Sequence, residues 1–282
     1  MRDIFCSPII IQAFIIGGLS AVAFGLIGVF IVVRRIGYLA GAIAHCAFGG
    51  IGIGIGLQYI VTLNSFVIFR AFIPDPMFVA MIVAIISAML IGVIRIVSKE
   101  REDTVIGAIW ASGMAIGLFL VAIVPNNRNI SDYLFGTIIF NTREDVFSVL
   151  LVSVIVLLVM FLFFKRFEAV CFDEEFSRLK GVNTAFYFQL LLILTAITVV
   201  VLVRIVGIVL VIAMLTLPAA TACRFTSRIS SACILAVIVG FISNWIGLFA
   251  SVFFNLPPGP TIVIVASLLY FISLVVTKSS TA

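Results

Sequence analysis

The amino-acid sequence predicts an all-α, polytopic transmembrane helical bundle of eight or nine spans, with a short helix outside the membrane. Three observations lead there. Of the 282 residues, 64% are hydrophobic and 10% charged, and the mean hydropathy is +1.38. Apolar runs of about 20 residues, enough to cross a hydrocarbon core, recur along the whole chain. The charges fall between these runs, so residues 1–282 read as a single transmembrane domain with little chain left for a soluble one. The formal charge of +5 belongs to loops that signal topology and does not point to nucleic acid.

The apolar runs lie at 9–33, 38–61, 77–97, 105–124, 146–164, 186–203, 205–223, 231–254 and 261–277. At 1.5 Å per residue each crosses about 30 Å, some only just. The start, Met1 to Pro8, lacks a charged segment followed by a short apolar stretch and a small-residue cleavage site, so the first run reads as a retained span. With the N-terminus outside, one side receives 12 of the 17 basic residues, among them Arg34, Arg35, Arg95, Lys165, Arg166, Arg178 and Lys180. That side is expected to be cytoplasmic and the N-terminus extracytoplasmic. Near Arg204 a hairpin would have Gly207 as its one turn residue, so a nine-span and an eight-span arrangement both stay open. The five cysteines show no metal-finger spacing and read as free thiols.

The second run carries the most specific pattern. Arg34-Arg35 precede it, and inside it Gly41, His45, Gly49, Gly52 and Gly56 recur at spacings of four, four, three and four. That is one helix face, all glycine except for the only histidine of the chain. Glycine costs about 1 kcal/mol in a helix interior relative to alanine, so the face implies a close-packed neighbouring backbone or a bordering cavity. An ionisable residue within a span is a functional-site candidate by default. From the residues alone two readings of His45 stay open. One is a packed histidine donating to a backbone carbonyl. The other is a metal contact about 10 Å below the cytoplasmic surface, where a neutral imidazole suits zinc and other borderline metals and the bare face leaves room for a second copy.

Three loops differ from the rest. Residues 62–76 end in Pro74-Asp75-Pro76, which cannot continue a helix. Residues 125–145 are polar and include Asp132-Tyr-Leu-Phe-Gly136. Residues 165–181 are the most charged part of the chain. There Asp173, Glu174 and Glu175 favour a helix start, Arg178 and Lys180 its end, and Gly181 its cap. This reads as a compact cytoplasmic helix, with a solvated connector as the plainer alternative. Glu102 and Asp103 suit the start of the fourth span as caps.

Several chemistries are excluded. No lysine follows a glycine, so a phosphate-binding GxxxxGK loop is missing and ATP hydrolysis would fall to another chain. One histidine cannot make HExxH. Trp110-Ala-Ser-Gly113 lacks the leading glycine of a GxSG box, which leaves an intramembrane serine protease only a superficial match.

Taken together, six stretches resemble the integral membrane permease of the metal-ion ABC importers, the ABC-3 type that takes up zinc, manganese or iron. Arg34 to His45 resembles the family's arginine-led GDALSHA helix, and Glu102 to Gly117 its acidic-led fourth helix. Asp132 to Gly136 matches its LFG loop. Phe172 to Gly181 resembles the helix that docks on the ATPase. Val206 to Ala222 and Pro258 to Val263 complete a series that spans about residues 18 to 275 in the family's order.

The resemblance implies a transport subunit and not an enzyme, in the plasma (inner) membrane. It would work with a second permease, identical or different, two cytoplasmic ATPase subunits and an extracytoplasmic metal-binding protein. It implies no permanent cofactor; a divalent transition metal, zinc foremost, would be the transported substrate. His45 would touch the metal, Gly41, Gly49, Gly52 and Gly56 would pack the translocation-path helix, and Asp173, Glu174, Glu175, Arg178 and Gly181 would couple to the ATPase over about residues 165–185. One departure stands out: the family has an aspartate four residues before the histidine, and here that position is Gly41. The rival class, an ion-coupled secondary transporter of a metal or small solute, buries carboxylates near the midplane. No Asp or Glu lies well inside an apolar run.

Overall fold

The computed structural model describes residues 7–63, 75–97, 102–124, 136 and 141–279. Most of the Asp132 to Gly136 motif and the side chains of Glu102 and Asp103 lie outside the described residues. Among these residues there are ten helices and no strand: α1 Pro8–Val33, α2 Gly37–Leu63, α3 Pro76–Val97, α4 Glu102–Ile123, α5 Arg143–Phe172, α6 Glu174–Leu179, α7 Thr184–Val206, α8 Ile208–Phe225, α9 Ile229–Phe254 and α10 Pro258–Ser279. Nine of them, all but α6, are long and apolar enough to cross a membrane.

The bundle has two packed groups. α1 is the hub of one, against α5, α8 and α9, with α10 closing on α8 and α9. α2 is the hub of the other, against α3 and α4, and α7 bridges the two through α3, α5 and α2. α1 can be a hub because its glycines admit other backbones. A Cβ on Gly25 would lie 2.7 Å from the Val237 nitrogen, and one on Gly28 would run into the Leu215 carbonyl oxygen. Two polar ties add to this. The Asn244 amide donates to the Gly17 carbonyl at 2.7 Å and the Ser153 hydroxyl to the Leu19 carbonyl at 2.9 Å.

The open question at Arg204 resolves as two helices. α7 ends at Val206 and α8 begins at Ile208, with Gly207 between them at φ 83°, where a side chain would be strained. Gly136 packs so closely on residues 205–207 that a Cβ there would overlap their backbone. The Arg204 guanidinium reaches Asp145 at 3.7 Å.

One sequence boundary shifts. The charged stretch from Lys165 does not begin as a loop: α5 continues through it to Phe172. A capping box at Thr142 and Asp145 starts this helix, and the Arg166 guanidinium donates to the Tyr187 hydroxyl at 2.8 Å, which holds its far end against α7.

Candidate functional site

α2 is the most enclosed span. Between Leu39 and Gly52 every residue is buried except His45. The glycine face is filled by the same chain: α2 and α4 run parallel, in a register given by Gly41 beside Trp110, Gly49 beside Gly113, Gly52 beside Gly117 and Gly56 beside Leu120. A Cβ on Gly49 would lie 2.6 Å from the Gly113 carbonyl oxygen, and one on Gly52 2.8 Å from Gly117 Cα. Of the two explanations for the glycines, close backbone packing is the one present. The room expected there for a second copy is taken by α4, because Gly113 and Gly117 form a matching stripe.

His45 sits at the edge of this seam. Its imidazole stacks on the Trp110 indole, with centroids 4.9 Å apart and planes 17° from parallel. Nδ1 is buried without a hydrogen-bond partner, so the backbone-donating histidine of the plainer reading is not formed through that nitrogen. Cys46, the next residue, also lies against α4 and donates its thiol to the Ile109 carbonyl at 3.5 Å. α8 closes the other flank. A Cβ on Gly41 would lie 3.8 Å from Ile212 Cδ1, and one on Gly37 3.5 Å from Thr216 Cγ2. Ile212, Ala213, Thr216 and Ala220 are half-buried along one side of α8, so the half-buried His45 joins a partly exposed strip shared by α2, α4 and α8. Among the described residues no group of three or more His, Cys, Asp or Glu side chains could hold a metal ion, so His45 stands alone there.

α6 is built by its own sequence. The Asp173 carboxylate accepts from Phe176 N at 2.9 Å as the N-cap, and Gly181 at φ 81° ends the helix, with Val182 N donating to the Ser177 carbonyl at 3.0 Å. Glu174 points into the protein. Its carboxylate pairs with Arg34, which follows α1, and with Arg95 of α3 at 3.1 Å. Both guanidiniums lie over the Phe188 ring of α7, at 5.1 and 4.1 Å from its centroid. One carboxylate therefore fastens α6 to the ends of three spans. Exposed on the outer side of α6 are Glu175 and Arg178, together with the apolar Phe176 (54% exposed) and Leu179 (86% exposed), while Phe172, also exposed, is the last residue of α5.

Trp110 is a partner of His45 that no motif marks, and its signal in the sequence is the face it shares with Gly113 and Gly117, which matches the glycines of α2. The resemblance places Glu174 among residues that face another protein; nothing local marks its arginine partners, 140 and 79 residues away.

Comparison with known proteins agrees with this architecture. The profile of the ABC 3 transport family matches residues 7–277. A probable metal transport system membrane protein of Chlamydia pneumoniae is 36% identical, over 99% of this chain and 92% of its own. The manganese transport system membrane protein MntC of Listeria monocytogenes is 31% identical, over 88% of this chain and 84% of its own. The solved PsaBC from Streptococcus pneumoniae, in complex with Fab, superposes with a TM-score of 0.81 at 27% identity, covering 96% of this chain and 93% of that one. The family profile spans nearly the whole bundle, from the start of α1 to the end of α10, and the similarity to the Chlamydia relative runs over 99% of this chain, so the chain belongs to the ABC 3 transport family.

Proposed function

We propose that the chain is the membrane-spanning permease of an ATP-driven importer that moves a divalent transition metal into the cytoplasm. One observation carries the reading: α6 is a short rigid helix that leaves Phe176 and Leu179 exposed while Glu174 ties it to α1, α3 and α7. A chain without a nucleotide site receives work only through a docked element, and a push on α6 would reach three spans at once. The excess of basic residues supports a cytoplasmic α6 and an extracytoplasmic N-terminus. Two ATPase subunits would engage two permeases through α6, with a metal-binding protein on the opposite face. Co-purification tests this: a stable ATPase partner supports the importer, and ATP-independent transport by the purified chain in liposomes would favour an ion-coupled carrier.

His45 is the proposed contact for the metal on its way through. It is the one residue between Leu39 and Gly52 of the most enclosed span that is not buried, and it lies on the strip shared with α4 and α8 where a second permease subunit would complete the path. Imidazole chemistry favours zinc, while the name of the Listeria relative brings manganese beside it. Uptake of each metal by cells carrying His45→Ala decides the role. Unchanged uptake of both would remove His45 from the path.

A further inference from the structure

We propose that Trp110 positions His45: the indole sets the plane of the imidazole, and hence the direction in which a ring nitrogen meets the transported metal, and Gly41 is the seat that lets it do so. This rests on the reading of His45 as a metal contact. A metal approaches imidazole in the ring plane, along a nitrogen lone pair, so the torsion that turns the ring decides whether the ligand points into the path or away. That torsion is broad for histidine and needs an outside restraint. The usual restraint is a hydrogen bond from the second ring nitrogen. His45 lacks it, since Nδ1 is buried and unpartnered.

The stack on Trp110 is the restraint that is present. Planes 17° apart at 4.9 Å cannot survive rotation of either ring, yet stacking covers only a ring face and uses neither nitrogen's in-plane lone pair. The indole lies there because position 41 has no side chain. A Cβ on Gly41 would already be in van der Waals contact with Trp110, at 3.5 Å from Cη2 and 3.6 Å from Cζ3, so a longer side chain turned toward the indole would displace the ring. The backbones hold the pair in register. Gly49 lies one turn from His45 and Gly113 one turn from Trp110, and these two glycines are too close for a methyl group between them. Trp110 is itself 37% exposed, so the stacked pair lies at the surface of the bundle and is not sealed in the core.

The chain has two tryptophans, so Trp245→Phe leaves Trp110 as the sole indole emitter. Trp245 packs on Phe14 and Phe241, away from His45. Titration of the purified full chain with Co2+, a divalent ion that quenches tryptophan emission at short range, should quench Trp110, and adding His45→Ala should weaken the effect about ten-fold. In cells, at equal membrane levels, Trp110→Leu should lower Mn2+ or Zn2+ uptake about ten-fold, and Trp110→Phe should return it to within about three-fold of the parent, because phenylalanine stacks and leucine only fills space. Quenching indifferent to His45, or uptake restored as well by leucine as by phenylalanine, overturns the proposal. A chain that moves no metal but shows His45-dependent quenching supports it while defeating the importer reading.

Discussion

Gly49 and Gly113 face each other so closely that a methyl group on Gly49 would lie 2.6 Å from the Gly113 carbonyl oxygen. This contact and its neighbour at Gly52 and Gly117 bring two parallel spans together backbone to backbone. At Gly41, by contrast, an added Cβ would meet Trp110 at an ordinary 3.5 Å. Gly49→Ala and Gly52→Ala should each cost about 1–3 kcal/mol by overpacking, and Gly41→Ala well under 1 kcal/mol. Thermal unfolding in detergent micelles orders the three. A Gly41→Ala protein as unstable as Gly49→Ala would contradict the geometry.

Glu174 is the joint between α6 and the spans. Arg34 is 8% exposed and lies under the joint, so Glu174→Gln leaves a largely buried guanidinium with a neutral partner. A loss of about 1–3 kcal/mol is expected, the worth of hydrogen bonds to a charged group. In the assembled transporter ATP hydrolysis should persist while metal uptake per ATP falls several-fold. Loss of both in proportion would mean that Glu174 serves assembly and not transmission.

The outer face of α6 separates from this joint. Phe176 and Leu179 are exposed, so serine at both positions should change the stability of the isolated chain by less than about 0.5 kcal/mol. The same pair should weaken ATPase binding by about 2 kcal/mol, roughly thirty-fold. Pull-down of the ATPase from membranes at matched permease levels measures it. Full retention of the ATPase would place its docking surface elsewhere.

What could be read in the sequence follows the range of the interaction. The α1–α2 boundary at Arg34 and Arg35, the Asp173 cap and the Gly181 stop are local, and each is where its residues point, whereas α5 outruns its apolar stretch and continues to Phe172. The glycine face of α2 announced a close neighbour but not which one, since that needs the matching stripe of Gly113 and Gly117 in α4. The joint at Glu174 joins residues 140 positions apart, and the stack of His45 on Trp110 joins α2 to α4. Neither has a local pattern, because an ion pair or ring stack places no demand on the residues next to it in the chain.

Asn244 offers a test of polar packing deep in the bundle. Its amide donates to the Gly17 carbonyl oxygen at 2.7 Å and the side chain is 2% exposed, so it links α9 to α1 where no water competes. Such interhelical bonds in membranes contribute about 0.6 kcal/mol on average, with a maximum near 1.7 kcal/mol, so Asn244→Ala should be mildly destabilising. Asn244→Asp should be far worse despite its near-identical shape. An ionised carboxylate has no hydrogen to donate, faces the carbonyl oxygen with like partial charge, and costs about 2.5–3.5 kcal/mol within a span. Thermal unfolding at neutral pH should therefore rank wild type above Ala, and Ala well above Asp. As pH falls and the carboxyl regains a proton it can donate, the Asp variant should recover toward the Ala variant. An Asp variant as stable as wild type at neutral pH would show that the amide proton contributes nothing to holding α1 against α9.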